Sequence, residues 1–155
     1  MKIKPTYIVI PVITLVVMML GKLLTASGMA WYSTLALPTI TPSPFTITLA
    51  WQIIFILATI AAIRVWNSKI NRMRVWVCML FFGINAVLNI AWSYLFFHKH
   101  MIGTALWDAA LLACSVFILI LLLWRVDTWS AYLLIPYGIW ALFATYLNFA
   151  IWFIN

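Results

Sequence analysis

The sequence predicts an all-α membrane protein, a bundle of five transmembrane helices, from its apolar content, the lengths of its apolar stretches and its charge distribution. Apolar residues make up 68% of the 155 residues, and the mean hydropathy is +1.16, whereas about half of an ordinary soluble domain is apolar. A helix needs about 20 apolar residues to cross the hydrocarbon core. Such stretches use most of the chain, so residues 1–155 are predicted to form a single transmembrane domain.

The predicted helices are separated by short polar or proline-containing segments. Lipid requires every backbone polar group to be paired within its own segment, which favours helices throughout. Lys2 and Lys4 precede an apolar run, as in a secretory leader, but the apolar character continues past Lys22, so we expect an uncleaved first helix. The five segments are Tyr7–Ala26, Phe45–Trp66, Val75–Phe97, Met101–Trp124 and Trp129–Ile154.

The net charge of +7 is interpreted as membrane topology, not as a nucleic-acid-binding surface. Basic residues collect on the cytoplasmic side of membrane proteins, and some of them are also suited to anionic lipid head groups. This predicts a cytoplasmic N-terminus and an outside C-terminus, and helical spans favour a bacterial plasma membrane. Lys22 and Lys99 fall on the outer side, and seven bases fall on the inner side: Lys2, Lys4, Arg64, Lys69, Arg72, Arg74 and Arg125.

The first loop, Ser27–Pro44, is the longest connection and combines prolines with aromatic residues. Proline fixes φ and removes a hydrogen-bond donor, so this segment is stiff for its length. We interpret it as a lid over the mouth of the bundle, in which Tyr32 and Pro42 contact a ligand. The alternative is a plain connector whose aromatic residues lie at the headgroup level. The loop contains Trp31, Tyr32, Pro38, Pro42 and Pro44.

Polar and aromatic side chains share faces on the second and third segments. Trp51 and Phe55 are four residues apart on the second segment. On the third, Asn89 and Ser93 flank Trp92, and residues three and four apart lie on one helix face. Polar residues at membrane depth are costly and therefore informative. They indicate either a ligand cavity, favoured for Asn89 and Ser93, or interhelical hydrogen bonds; both interpretations stay open for Asn85.

The fourth segment carries an acidic residue and a stripe of small residues. Asp108 lies about two turns into the span, where it could relay protons, contact a ligand or cap a neighbouring helix. Ala105, Ala109 and Ala113 recur every four residues, which lets helices approach closely in lipid. The stripe is compatible with a homodimer or with packing inside one chain, and Gly83 is a rival contact for dimerisation.

The fifth segment places small, aromatic and polar residues together. Pro136 is expected to kink this helix. A large ring beside a small residue indicates space for a flat ligand, although an aromatic core stripe is the commoner arrangement. The residues on this face are Trp140, Phe143, Ala144, Leu147 and Asn148.

The remaining candidate ligands for a metal do not form a site. His98 and His100 are two residues apart in a short loop, where histidines are expected to be solvated. Cys78 and Cys114 lie at membrane depth as packing residues. We therefore predict no metal and no required cofactor.

Three motifs in separate segments resemble the translocator protein family, whose bacterial members are called tryptophan-rich sensory proteins (TspO). The match covers the whole chain in order. It lacks a basic residue soon after Tyr137, so a sterol is not predicted as the native ligand. Leu37, Ile40 and Ser43 depart from the family pattern in the first loop. The motifs are Trp31-Tyr32-x-x-Leu35-x-x-Pro38 with Pro42 and Trp51, Asn89-x-x-Trp92-Ser93-x-x-Phe96-Phe97, and Pro136-Tyr137-x-x-Trp140-x-x-Phe143-Ala144-x-x-Leu147-Asn148.

The resemblance implies a five-helix bundle, usually dimeric, that binds porphyrins; some members bind sterols and benzodiazepine-type drugs. The leading hypothesis is a receptor or sensor for a tetrapyrrole. A second hypothesis is light-dependent degradation of protoporphyrin, with Trp51 and Trp140 as the electron-rich candidates for catalysis. A third is a transporter of porphyrin or another small lipophile.

Overall fold

The structure, a computed structural model that describes residues 4–155, is a bundle of five long helices, which confirms the predicted fold class. All five are long and apolar enough, by length and composition, to cross a membrane. The protein is therefore an integral membrane protein. The helices are α1 (Thr6–Tyr32), α2 (Pro44–Trp66), α3 (Arg72–Ser93), α4 (Ile102–Trp124) and α5 (Thr128–Ile154), and a π-helical segment, Tyr94–His98, continues α3.

The first helix is longer than the sequence predicts, because it ends at Tyr32 and not at Ala26. Trp31 and Tyr32 therefore lie in the last helical turn, and the connecting loop is confined to residues 33–43. Gly28 is one of the buried residues of this helix. The prolines instead mark the start of α2, where Pro44 is the first helical residue and Ser43 Oγ accepts a hydrogen bond from Thr46 N at 3.2 Å.

The helices are neighbours in the cyclic order α1, α2, α5, α4, α3. The larger buried cluster is formed by α2, α3, α4 and α5, with Val65, Val75, Val116 and Leu134 among its fully buried members. A smaller cluster surrounds Phe96 and Phe97 in the π-helical segment, together with Ala105 and Ile151. Only Val17 and Gly28 are buried on α1, so this helix is the most peripheral of the five.

A close contact between backbones fixes α1 against the π-helical segment. A Cβ atom added to Gly28 would overlap the backbone carbonyl of Phe97. Only glycine permits this approach, because every other residue carries a Cβ. The segment then turns into α4 through His100, whose φ of 57° lies in the left-handed region. The π turn and the aromatic end of α1 are thereby held together.

The stripe of small residues on α4 packs within the chain. Ala105, Ala109 and Ala113 are all buried against neighbouring helices. Of the two interpretations of this stripe, internal packing is therefore correct. Gly83 on α3 is exposed, and a Cβ there would meet no atom within 4 Å.

The loops that carry most of the basic residues meet at one end of the bundle. Lys4 Nζ donates to Asn67 Oδ1 at 3.2 Å. Arg64 donates to both carboxylate oxygens of Asp127, at 2.7 and 3.0 Å, and Ser130 Oγ donates to Asp127 Oδ2 at 2.5 Å. The hydrogen bond from Arg64 lowers the pKa of Asp127 below its ordinary value. Lys2 lies outside the described residues.

Candidate functional site

Five aromatic side chains meet between α2 and α5. Trp51 lies with its ring centroid 5.9 Å from Phe55, 6.1 Å from Tyr137 and 6.5 Å from Trp140. Trp140 is in turn 5.4 Å from Phe143. The Trp51 ring meets Tyr137 and Trp140 edge to face, at interplanar angles of 75° and 86°. We call these five residues the α2–α5 aromatic cluster.

A second group of rings lies where α1 meets the π-helical segment. Trp92 stacks on Phe96 at 5.2 Å and meets Phe97 edge to face at 5.8 Å. Tyr32 lies 5.6 Å from Phe97, and Trp31 lies 5.6 Å from Phe96. We call these five residues the α1–α3 aromatic cluster. Its tryptophans and Tyr32 are only half-buried, so the rings remain accessible at the edge of the bundle.

A chain of hydrogen bonds in the bundle interior lies between the helices that carry the two clusters. The Tyr137 hydroxyl donates to Asn85 Oδ1 at 2.8 Å and accepts from Asn89 Nδ2 at 3.3 Å. Asn85 Nδ2 donates to Ser115 Oγ at 2.9 Å. The open question about Asn85 is therefore resolved, because its amide joins α3 to α4 and α5. Asn89 contacts the same hydroxyl through a longer bond.

The amide of Asn148 also joins three helices. Its Oδ1 accepts from Trp92 Nε1 at 2.9 Å, and its Nδ2 donates to the carbonyl of Ile102 at 3.1 Å. Asn148 is fully buried, and these bonds fix the indole plane of Trp92. Asn148 therefore positions a ring of the site, while its own polar atoms are already paired.

Two buried polar atoms within the spans have no hydrogen-bond partner among residues 4–155. They are Trp140 Nε1 and Asp108 Oδ2. A buried donor without an acceptor is unfavourable by about 1–3 kcal/mol. Trp140 belongs to the α2–α5 aromatic cluster, so its N–H is a donor within the candidate site. Asp108 shows no capping bond, which removes one of the three roles considered for it.

The loop between α1 and α2 is attached to the end of α5 through the side chain of Asn155. Asn155 Oδ1 accepts from Ala36 N, and Asn155 Nδ2 donates to Ala36 O, both at 3.0 Å. Within the same loop, Pro42 is half-buried and precedes the helix cap at Ser43. In the last turn of α1, Trp31 stacks on His100 at 4.1 Å. The loop is therefore held against α5.

The predicted site residues fall into two groups. Trp51, Phe55, Trp140 and Phe143 meet in one aromatic cluster, and Tyr32 and Trp92 meet in the other. That the two groups line one ligand cavity stays a prediction. Ser93 is buried beside α1, and a Cβ on Gly21 would lie 3.7 Å from its Oγ. Leu147 packs on the smaller hydrophobic cluster. Ala144 is half-buried on α5.

Sequence reasoning missed three residues of the site. Tyr137 was noted only as part of a motif, although its spacing of three from Trp140 places it near the same helix face. Ser115 gave no signal beyond being polar at membrane depth. Asn155 gave none, because its partner is the backbone of Ala36 in a distant loop.

Comparison with known proteins finds relatives along most of the chain. The model of the TspO/MBR family matches residues 8–153. Protein CrtK of Rhodobacter capsulatus is 32% identical over 126 residues, which cover 81% of this chain and 79% of that protein. The tryptophan-rich protein TspO of Bacillus cereus is 33% identical over 125 residues, with 81% and 80% covered. The human translocator protein is 28% identical over 127 residues, with 81% and 75% covered.

Proposed function

The chain belongs to the TspO/MBR family, and on that premise we propose that it is a membrane receptor that binds a porphyrin through its two aromatic clusters. The observation that carries the proposal is the edge-to-face meeting of Trp51 with Tyr137 and Trp140 between α2 and α5. Rings in this arrangement offer both faces and edges to a planar macrocycle. Aromatic side chains bury a large area against such a ligand, at about 25 cal/mol per Å².

The polar groups near the clusters support the same ligand class. Trp140 Nε1 is a buried donor without a protein acceptor in the described chain. Porphyrins carry acceptors in their ring nitrogens and propionate carboxylates. A porphyrin whose binding uncovers this N–H would pair it and so relieve an existing desolvation penalty. A few polar groups in an otherwise apolar pocket fix the orientation of a ligand.

Light-dependent breakdown of protoporphyrin is a second candidate activity. Trp51 and Trp140 lie 6.5 Å apart between their ring centroids and are the two tryptophans of the α2–α5 aromatic cluster. Time-resolved absorption of bound protoporphyrin in light and in darkness tests this activity. Transport of porphyrin or another lipophile is the alternative, and flux into sealed vesicles that contain the protein tests it.

We also propose a homodimer in a bacterial plasma membrane, with the N-terminus cytoplasmic and the C-terminus outside. The described bases are concentrated at the end where Lys4 meets Asn67, as expected for a cytoplasmic face. The exposed face of α3 around Gly83, between Trp76 and Val87, is an apolar groove suited to a second copy. Cross-linking in lipid that yields only monomer would contradict the dimer.

A spectral titration tests the receptor proposal directly. Purified protein is titrated with protoporphyrin IX, haem and a sterol, and tryptophan fluorescence and porphyrin absorption are followed together. We expect saturable binding of the tetrapyrroles with quenching of tryptophan emission, and weaker binding of the sterol. Absence of saturable tetrapyrrole binding would show that the receptor proposal is wrong.

A further inference from the structure

A groove of about 700 Å³ opens at the basic end of the bundle, and no residue of the two aromatic clusters lines it. It lies where the start of α1, the end of α2, the loop after α2 and the loop before α5 meet. We call it the basic groove. The residues that matter for its chemistry are Tyr7, Ile60, Arg64, Ser68, Lys69 and Ile70.

One part of the basic groove is polar and cationic. Arg64 uses Nε and Nη2 on Asp127, which leaves Nη1 without a protein acceptor in the described chain. Lys69 is exposed and makes no side-chain hydrogen bond to residues 4–155. The Ser68 hydroxyl is buried and likewise has no partner among them. These three side chains supply donors and positive charge in one place.

The charge around the basic groove is strongly unbalanced. Asp127 also lines the groove and is the acidic residue at this end, but its charge is already paired with Arg64. An anion that carries no positive group of its own therefore gains more here than a zwitterion does. The bases that the structure describes at this end are Lys4, Arg64, Lys69, Arg72, Arg74 and Arg125.

The other part of the basic groove is apolar and faces outwards. Tyr7, Ile60 and Ile70 line it and are 51%, 43% and 37% exposed. Tyr7 and Ile60 lie on membrane-spanning helices, next to the headgroup level marked by the bases. A free inorganic anion would gain nothing from this apolar wall, whereas an acyl chain would be shielded by it.

From this combination we propose that the basic groove binds the phosphate of an anionic phospholipid. Arg64 and Lys69 supply the positive charge, Ser68 supplies a neutral donor, and the beginning of an acyl chain lies along Tyr7 and Ile60. The leaflet that surrounds the basic end provides the lipid. Bound there, the lipid links α1, α2 and the loop after α2, so its binding stabilises the attachment of the peripheral helix α1.

The test measures binding of short-chain phosphatidylglycerol to the purified full-length chain in a neutral detergent. Phosphatidylcholine with the same acyl chains and inorganic phosphate serve as the comparison probes. Lys69→Gln removes an exposed base that lines the groove. Arg74→Gln is the matched control, because it removes an exposed base at the same end that does not line it.

We expect saturable binding of phosphatidylglycerol, weaker binding of phosphatidylcholine and no competition by inorganic phosphate at equal concentration. Lys69→Gln should weaken phosphatidylglycerol binding about fivefold, and Arg74→Gln by less than about twofold. Equal affinity for the two lipids would overturn the proposal. So would equal losses in the two variants, which would indicate a diffuse electrostatic effect. Competition by inorganic phosphate would assign the site to the free anion.

Discussion

The hydroxyl of Tyr137 donates a 2.8 Å hydrogen bond to Oδ1 of Asn85 in the interior of the bundle. The bond joins α5 to α3, although these helices are not neighbours in the ring. Both residues are buried, and the ring of Tyr137 also contacts Trp51 in the α2–α5 aromatic cluster. One side chain therefore couples the polar interior to the candidate porphyrin site.

Tyr137→Phe should destabilise the fold while preserving most of the aromatic packing. It leaves Asn85 Oδ1 buried without its donor. We expect the free energy of unfolding to fall by about 1 kcal/mol, the scale of interhelical hydrogen bonds in membranes. Unfolding in detergent measures this change. Tyr146→Phe is the control, since Tyr146 is 57% exposed and should be unaffected by loss of its hydroxyl; equal losses would contradict the argument.

Trp140→Ala should weaken porphyrin binding by about tenfold or more, because it removes a ring from the α2–α5 aromatic cluster. Trp140→Phe keeps a ring but removes the unpaired N–H, so it separates stacking from hydrogen bonding. Trp124→Ala is the control, because Trp124 ends α4 and packs on Tyr132, outside the α2–α5 aromatic cluster. Spectral titration measures all three. Equal effects of Trp140→Ala and Trp124→Ala would show that the proposed site is misplaced.

Ala144→Phe tests the same site by filling it. Ala144 is half-buried on the face of α5 that also carries Trp140 and Asn148. A phenyl group there should block porphyrin binding while the helix content, measured by circular dichroism, stays unchanged. Binding as tight as that of the parent protein would exclude Ala144 from the pocket.

Gly28→Ala should separate α1 from the π-helical segment. Its methyl group would overlap the Phe97 carbonyl, and backbone cannot move aside as a flexible side chain can. We expect a loss of about 1–3 kcal/mol in unfolding free energy, as in other overpacked sites. Gly21→Ala on the same helix is the control, because its methyl group would lie at an ordinary 3.7 Å from Ser93 Oγ. If both variants are equally stable, the close approach is not a constraint.

Asn155→Ala should speed the release of bound ligand. It removes both hydrogen bonds that hold Ala36 and the first loop against α5. The dissociation rate is expected to rise a few-fold, about threefold to tenfold, since interface changes act mainly on dissociation. Asn155→Asp keeps the acceptor for Ala36 N and should give an intermediate rate. Stopped-flow displacement of protoporphyrin measures these rates, and unchanged values would show that the loop does not control exchange.

Acid should weaken the Arg64–Asp127 pair in a predictable direction. The hydrogen bond from Arg64 lowers the pKa of Asp127 below its ordinary value of 3.8. A lowered folded-state pKa contributes stability above the ordinary value, and this contribution is lost as the pH falls through the folded-state value. The stability difference between the parent and Asp127→Asn should therefore be constant near neutral pH and shrink as the pH falls from about 5 through 3.8 and below. It should be small throughout, because Arg64 is 44% exposed. A difference that grows on acidification would contradict the assignment.

The spans were predictable because a bilayer imposes a length on each helix, and the five apolar runs meet it. The site was predictable only in part. Spacing on a helix places Trp51 with Phe55 and Trp140 with Phe143, but contacts between helices depend on rotation and register that no single segment encodes. This is why the pairing of Tyr137 with Asn85 was not foreseen.

The end of α1 and the π-helical segment could not be predicted from the sequence for a related reason. Gly28 and the small residues near it look like a loop in isolation, and the contact that makes glycine necessary comes from Phe97. The π-helical turn at Tyr94–His98 has more residues per turn than an α-helix, and no proline or glycine in that segment indicates it. The composition of the stripe Ala105, Ala109 and Ala113 suits packing either against a second copy of the chain or against helices of the same chain. Only the fold shows that it packs within the chain.

The contact between Gly28 and Phe97 also bears on the order of assembly during synthesis. Of the five described helices, α1 is synthesised first and has only two buried residues, and the larger hydrophobic cluster contains no residue from it. Its docking place is completed only when the third span and its π-helical turn have entered the bilayer. We therefore expect α1 to remain unpacked beside the translocation channel or in the lipid bilayer at first. It then packs last, against an assembly that the other four helices have already formed.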